Sequence, residues 1–221
     1  MLLLEVIACS LEDALAAEAG GADRLEICSR LDLSGLTPTC ELVKSIVEAV
    51  RIPVRVMIRA EDSFRARGPE QAEVIAMADL PIEGVVCGFL DPAGRLDFAA
   101  LDRVLRPAPA KWKLTLHRCF DAAVGSVAEK FAAVRHHGRA DRILSGGPPV
   151  VLAGIGDQRL QFIAGGGLTL ENLPRWIQES GCREFHAGRA ARTPEETTAP
   201  VDAAKVRQLR AVLSQWGRSS S

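Results

Sequence analysis

Eight short apolar runs alternate with longer stretches of helical periodicity along this chain, and that alternation leaves few folds open. Strand-sized runs separated by helix-sized ones imply β–α–β units around a parallel sheet. The runs are Leu3–Ala8, Arg24–Cys28, Val54–Ile58, Gly84–Leu90, Lys113–Leu116, Arg142–Leu144, Leu160–Ala164 and Glu184–Ala187. Eight runs in 221 residues give the count of a closed α/β (β/α)8 barrel of the TIM type, near the lower end of its usual size. An open doubly wound sheet is the alternative architecture. Ser10 is placed to cap a helix through Leu11, Leu15 and Ala19, and Thr37-Pro38 to open the second helix. Further helices are expected up to about Asp79, over Phe98–Leu105, from Ser126 to His137, over Leu170–Glu179 behind Thr169, and over Val201–Trp216. Residues 1–216 then form one barrel domain, with Gly217–Ser221 a disordered tail. The sixth unit is the poorest, because Ser145 to Leu160 leaves room for at most a short helix. Either that face is thin, or a partner copy in a homo-oligomer covers it.

A formal charge of −1, with 25% charged residues, builds no field for nucleic acid or an anionic membrane. No apolar stretch approaches the ~18 residues of a membrane span. Met1-Leu2-Leu3-Leu4-Glu5 lacks the basic start of a signal peptide, so a cytoplasmic location is expected. The six cysteines, Cys9, Cys28, Cys40, Cys87, Cys119 and Cys182, stand singly and are expected as free thiols.

In a barrel, alternate strand residues point inward, and chemistry collects at the C-terminal strand ends. Parity turns Glu5, Ile7, Cys9, Glu26, Cys28, Arg55, Met57, Arg59, Thr115 and His117 inward, with Glu184 and His186 sharing one face. Buried charge must be paired. One reading is an ion-pair plug in which Glu5, Glu26 and Arg55 satisfy one another. The other gives His117, Arg59 and His186, at strand ends, a functional role. His136 and His137 near a helix C-terminus read as solvated.

Gly165-Gly166-Gly167 after the seventh run can bring backbone N–H groups to an anion, with Arg189 or Arg192 as counter-charge. A tight turn of positive φ would use the same glycines. No zinc-protease, paired-cysteine, EF-hand, nucleophile-elbow or dinucleotide motif is present. Cys9 and Cys28 fall inward on neighbouring strand ends, and soft thiolates favour Cu(I) or zinc, although such a pair also serves as small apolar core.

Several segments resemble the CutC copper homeostasis family. They include Leu4-Glu5-Val6, Gly20-Gly21-Ala22-Asp23-Arg24-Leu25-Glu26-Ile27-Cys28-Ser29, Gly35-Leu36-Thr37-Pro38 and Met57-Ile58-Arg59. They continue with His117-Arg118-Cys119-Phe120-Asp121, Ile143-Leu144-Ser145-Gly146, Gly165–Gly167 and Glu184-Phe185-His186. The resemblance implies a cytosolic (β/α)8 barrel that binds Cu(I) through cysteines of the first two strands. Cys28 matches the second-strand cysteine. Ile7 stands at the first-strand position, with Cys9 two residues on. The family's Arg-Pro-Arg-Gly-Gly-Asp-Phe stretch is Arg59-Ala60-Glu61-Asp62-Ser63-Phe64 here.

Two functions are therefore expected to compete. The first is Cu(I) handling through Cys28 and Cys9. The second is a barrel enzyme or sensor for a small phosphorylated or carboxylated metabolite. There His117 would be general acid or base, Glu26 or Glu5 its carboxylate partner, and Asp121 and His186 further members of the catalytic set. Arg59 would clamp the anion, with Ser145, Gly146 and Gly165–Gly167 around it. A pure scaffold has no use for charge inside the barrel.

Overall fold

A computed structural model describes residues 2–146 and 159–219. Its strands are β1 (Leu3–Ala8), β2 (Arg24–Ile27), β3 (Val54–Met57), β4 (Gly84–Cys87), β5 (Lys113–Leu116), β6 (Arg142–Ser145), β7 (Gln161–Ala164) and β8 (Glu184–Ala187). Each pairs in parallel with the next, and β8 returns to β1 through Glu5 opposite His186. The sheet is a closed (β/α)8 barrel, which rules out the open alternative and leaves no strand edge unpaired. Leu4, Val6, Leu25, Ile27, Val54, Val56 and Leu114 point outward into one apolar layer beneath the helices. Their alternates point inward, so the two-residue period separates a greasy outside from a charged inside.

The helices are α1 (Leu11–Gly20), α2 (Cys40–Ala49), α3 (Pro69–Met77), α4 (Phe98–Leu105), α5 (Cys119–Ala122), α6 (Val127–His137), α7 (Leu173–Ser180) and α8 (Ala203–Ser219). Ser10 caps α1 by accepting the Asp13 N–H, and Ser126 with Glu129 closes a capping box on α6.

Three expected helices have different ends in the structure. Thr39, not Thr37, caps α2, because the Thr37 hydroxyl is held across the barrel rim by the Arg59 backbone, accepting its N–H at 2.8 Å and donating to its carbonyl. Thr169 and Asn172 exchange hydrogen bonds in a turn of their own, so α7 starts at Leu173 rather than Leu170. The last helix starts at Ala203 and runs on to Ser219, past Trp216 and into the expected tail; Ser220 and Ser221 lie outside the described residues. Residues 147–158 of the link expected to be short after β6 lie outside them too.

His137 is not simply solvated. It stacks on Phe98 and meets Asp102 at 2.9 Å, tying α6 to α4, while His136 is exposed. No helix among the described residues is long and apolar enough to cross a membrane.

Candidate functional site

The N-terminal half of the barrel interior is an ion-pair plug, but its members differ from those expected. Arg55 pairs with neither Glu5 nor Glu26. Its guanidinium donates to Glu83 (2.8 Å), to both oxygens of Asp141 (2.9 and 2.8 Å) and to Thr115 Oγ1 (2.7 Å). Glu83 and Asp141 sit just before their strands, at the rim, and reach in. Arg24, which parity also turns inward, bonds Glu5 and reaches Glu184 Oε2 at 2.7 Å; Arg142 takes the other Glu184 oxygen at 2.6 Å. A guanidinium matches carboxylates in fixed, multiple bonds, which is what a charge needs to survive burial.

One layer higher the pairing runs out. Glu5, fully buried, meets His186 Nδ1 at 2.7 Å. Burial alone would raise its carboxyl, but Arg24 and His186 outweigh that and hold Glu5 well below the usual carboxylate range. His186 shifts the other way: burial opposes its charge, but the Glu26 and Glu5 carboxylates raise it. For Glu26 burial outweighs the nearby charges of His186, Arg24 and Arg55 and pushes its carboxyl up to about 7; its Oε2 stands 4.0 Å from His186 Nδ1 and has no hydrogen-bond partner among the described residues. Donor atoms of Glu5, Glu26 and His186 lie within 4.8 Å of one another, a cluster a cation could share. Arg24 already occupies Glu5 there, and oxygen and imidazole donors are a poor match for soft Cu(I).

The thiols come together. Cys9 Sγ lies 3.7 Å from Cys28 Sγ, with Cys28 wholly buried and Cys9 half-buried. Asp13 accepts the Cys9 N–H at 3.0 Å. Arg192 bonds Asp13 and the Ile7 carbonyl and lies 3.8 Å from the Cys9 sulfur. The hydrogen bond from Cys28 lowers the Cys9 thiol, with Arg192 helping against burial, while the same bond and burial raise Cys28. Arg192 is committed here, 2% exposed, and is not a counter-charge for the glycine run. Cys87, Cys119 and Cys182 are buried thiols that burial pushes up, and Cys40 donates to the Ala76 carbonyl.

Above both layers a cavity of about 820 Å³ opens at the C-terminal mouth. Glu26, Arg59, His117, Asp121, His186, Gly166 and Gly167 line it; Glu5, Ser145, Gly146, Gly165, Cys9 and Cys28 do not. His117 is buried, and burial, with the Arg59 charge nearby, pushes it down to about 3. Its Nδ1 accepts the Cys119 N–H at 3.2 Å, so the ring is neutral with its proton on Nε2, and Nε2 has no partner among the described residues. In this tautomer neither ring nitrogen presents a free lone pair.

Arg59 is likewise not an open clamp. It donates to the carbonyls of Leu33, Ser34, Gly35 and Ser63 and to Asp62, stapling two loops together, and lies over the Phe64 ring. Asp121 takes the Ser145 hydroxyl and the Gly146 N–H, both at 2.7 Å, and Gly165 N–H bonds the Ser145 carbonyl, so these three expected anion donors are spent on the protein. Gly166 has φ +71 and a Cβ there would sit 2.6 Å from Gly146 Cα, which is the close approach that requires glycine. Arg118, Arg189 and Phe64, absent from the expected site set or secondary in it, complete the wall. Arg189, two residues past β8, is the counter-charge expected there, and Arg118, which follows His117 in its motif, could have been read from its place at a strand end.

A family model settles the relationship. The CutC family model matches residues 2–191. The chain belongs to the CutC family. The family protein CutC of Xanthomonas axonopodis pv. citri is 36% identical over 201 residues, covering 83% of this chain and 82% of its own. The human protein named copper homeostasis protein cutC homolog is 34% identical over 201 residues, covering 83% and 72%. A crystal structure of CutC from Streptococcus agalactiae matches with a TM-score of 0.75 at 24% identity, over 84% of this chain and 98% of that one. Phosphoribosylanthranilate isomerase from Thermotoga maritima matches at 0.67 and 12% identity over 97% and 100%, a likeness of barrel fold alone. In this CutC barrel, Ile7 forms an apolar wall with Cys28, Met57 and Val86, and the second sulfur arrives from Cys9 at the edge of that cluster.

Proposed function

We propose that this CutC family member takes up Cu(I) as cargo between Cys9 and Cys28. The observation that carries the reading is the 3.7 Å separation of the two sulfurs at adjacent strand ends. Two soft donors this close can reach one ion between them, and soft thiolates select Cu(I) over the hard cations that oxygen sites hold. Arg192 beside Cys9 favours the thiolate that a metal requires, and the apolar wall of Ile7, Met57 and Val86 packs around the buried Cys28. Thiols in that state belong to a reducing compartment, which makes the cytoplasm the proposed setting. The name of the human relative points the same way.

The test is an anaerobic competition titration against a Cu(I) chelator, comparing wild type with Cys9→Ser/Cys28→Ser. Tight one-to-one binding that the double variant loses by at least about a hundredfold is the expected result, in line with loss of direct metal ligands. Binding indifferent to both changes overturns the assignment.

A further inference from the structure

The mouth cavity is left without a role by a copper site at the thiols, since neither Cys9 nor Cys28 lines it. Its volume, about 820 Å³, lies within the roughly 300–1,000 Å³ of small-molecule sites. Four buried side-chain polar atoms lack a hydrogen-bond partner among the described residues, and two of them, Glu26 Oε2 and His117 Nε2, belong to residues of this one wall. Buried polar groups are nearly always satisfied, so two such atoms around one cavity mark what a bound molecule would complete.

Their chemistry is complementary. With Nδ1 occupied by the Cys119 N–H, His117 can offer only a donor; Glu26 offers a carboxyl oxygen that accepts. The rim carries the charge. Of the arginines there, Arg59 is consumed by carbonyls and Asp62, Arg118 stands 3.7 Å from Asp121, and Arg189 pairs with no described carboxylate. The Asp121 oxygens are in turn spent on Ser145 and Gly146. Phe64 lines the same wall, its ring 5.3 Å from that of His117.

We infer that the mouth cavity binds a small anionic hydroxycarbonyl compound, with its phosphate or carboxylate on Arg118 and Arg189, its carbonyl on His117 and its hydroxyl on Glu26. The ligand class follows from the order of the groups: cations at the rim, one donor and one acceptor deeper in. This site stands apart from the thiol pair and does not depend on copper.

Calorimetric titration with four probes tests it: dihydroxyacetone phosphate, hydroxypyruvate, glycerol 3-phosphate (no carbonyl) and inorganic phosphate. Wild type should bind dihydroxyacetone phosphate at least about tenfold tighter than glycerol 3-phosphate, the factor one buried hydrogen bond gives. His117→Phe should erase that preference while leaving glycerol 3-phosphate and inorganic phosphate bound, which also shows that the variant is folded. Arg118→Ala/Arg189→Ala should weaken every probe by about tenfold or more. Cys9→Ser/Cys28→Ser should change none of these, whatever it does to Cu(I), so the two assignments stand or fall separately. The stronger of dihydroxyacetone phosphate and hydroxypyruvate identifies the anionic group. Failure of wild type to bind any probe, or binding unmoved by both the histidine and arginine variants, overturns the inference.

Discussion

At the N-terminal end of the barrel interior, Arg24, Arg55 and Arg142 are each met by carboxylates at 2.9 Å or closer. At the C-terminal end, Glu26 and His117 are as deeply buried, yet each keeps a polar atom without a hydrogen-bond partner among the described residues. The same burial cost is offset inside the molecule at one end and left open at the other. The closed end ties neighbouring strands together; the open end leaves hydrogen-bonding capacity unmet among the described residues, which is what the inferred ligand would complete. The difference is one of purpose, since a fold gains no stability from an orphaned donor.

The sharpest way to break this comparison is to remove one charge from each end. Arg24→Met leaves Glu5 and Glu184 buried without their shared guanidinium, and unfolding in urea should show a loss of about 3–5 kcal/mol. Glu26→Gln takes away a carboxyl whose neighbour His186 keeps its 2.7 Å contact with Glu5, and should cost far less in the same assay. A similar loss from both would erase the distinction.

Acid stability separates the ends next. His117 titrates near 6.5 when unfolded and about 3 when folded, so its stabilising share is present above pH 6.5 and is lost as pH falls towards 3. Between pH 7 and pH 4.5 wild type should lose about 2–3 kcal/mol more than His117→Gln, from roughly two pH units at 1.36 kcal/mol each. Glu26 runs with the opposite sign. Its carboxyl is raised from 4.5 to about 7, so the stability it brings is complete below pH 4.5 and is lost as pH rises through 7. Urea midpoints across that range should fall less steeply for Glu26→Gln than for wild type.

The smallest effect is a control outside the barrel. Thr39→Ala removes the α2 cap and should cost about 1 kcal/mol without touching either site, read as a drop in thermal midpoint with Cu(I) and anion binding intact.

These two ends were unequally legible from the residues alone. All eight strands announce themselves as apolar runs, and parity turns Glu5, Glu26, Arg55 and His117 inward. Parity says nothing about partners, however. Arg55 bonds Glu83 and Asp141, which precede their strands and fall outside any alternation. The α2 cap was ambiguous for a similar reason: Thr37 and Thr39 are equally good cap residues two apart, and only the position of the Arg59 backbone decides between them. Cys9 beside Cys28 was readable from neighbouring strand ends. That Arg59 would be consumed by four carbonyls was not, because backbone acceptors carry no sequence signature.

Arg192 gives the thiol pair a long reach. From one guanidinium it holds Asp13 of α1, the Ile7 carbonyl of β1 and the Ala199 carbonyl, and it borders the Cys9 sulfur. The charge on that sulfur and the seating of residues 192–201 are therefore linked variables. Negative charge on Cys9 would tighten the grip on the segment that leads into α8, and by reciprocity the seated segment favours that charge. The seam where the barrel closes, β8 against β1, doubles as the place where the charge state of one sulfur and the seating of the chain before α8 meet.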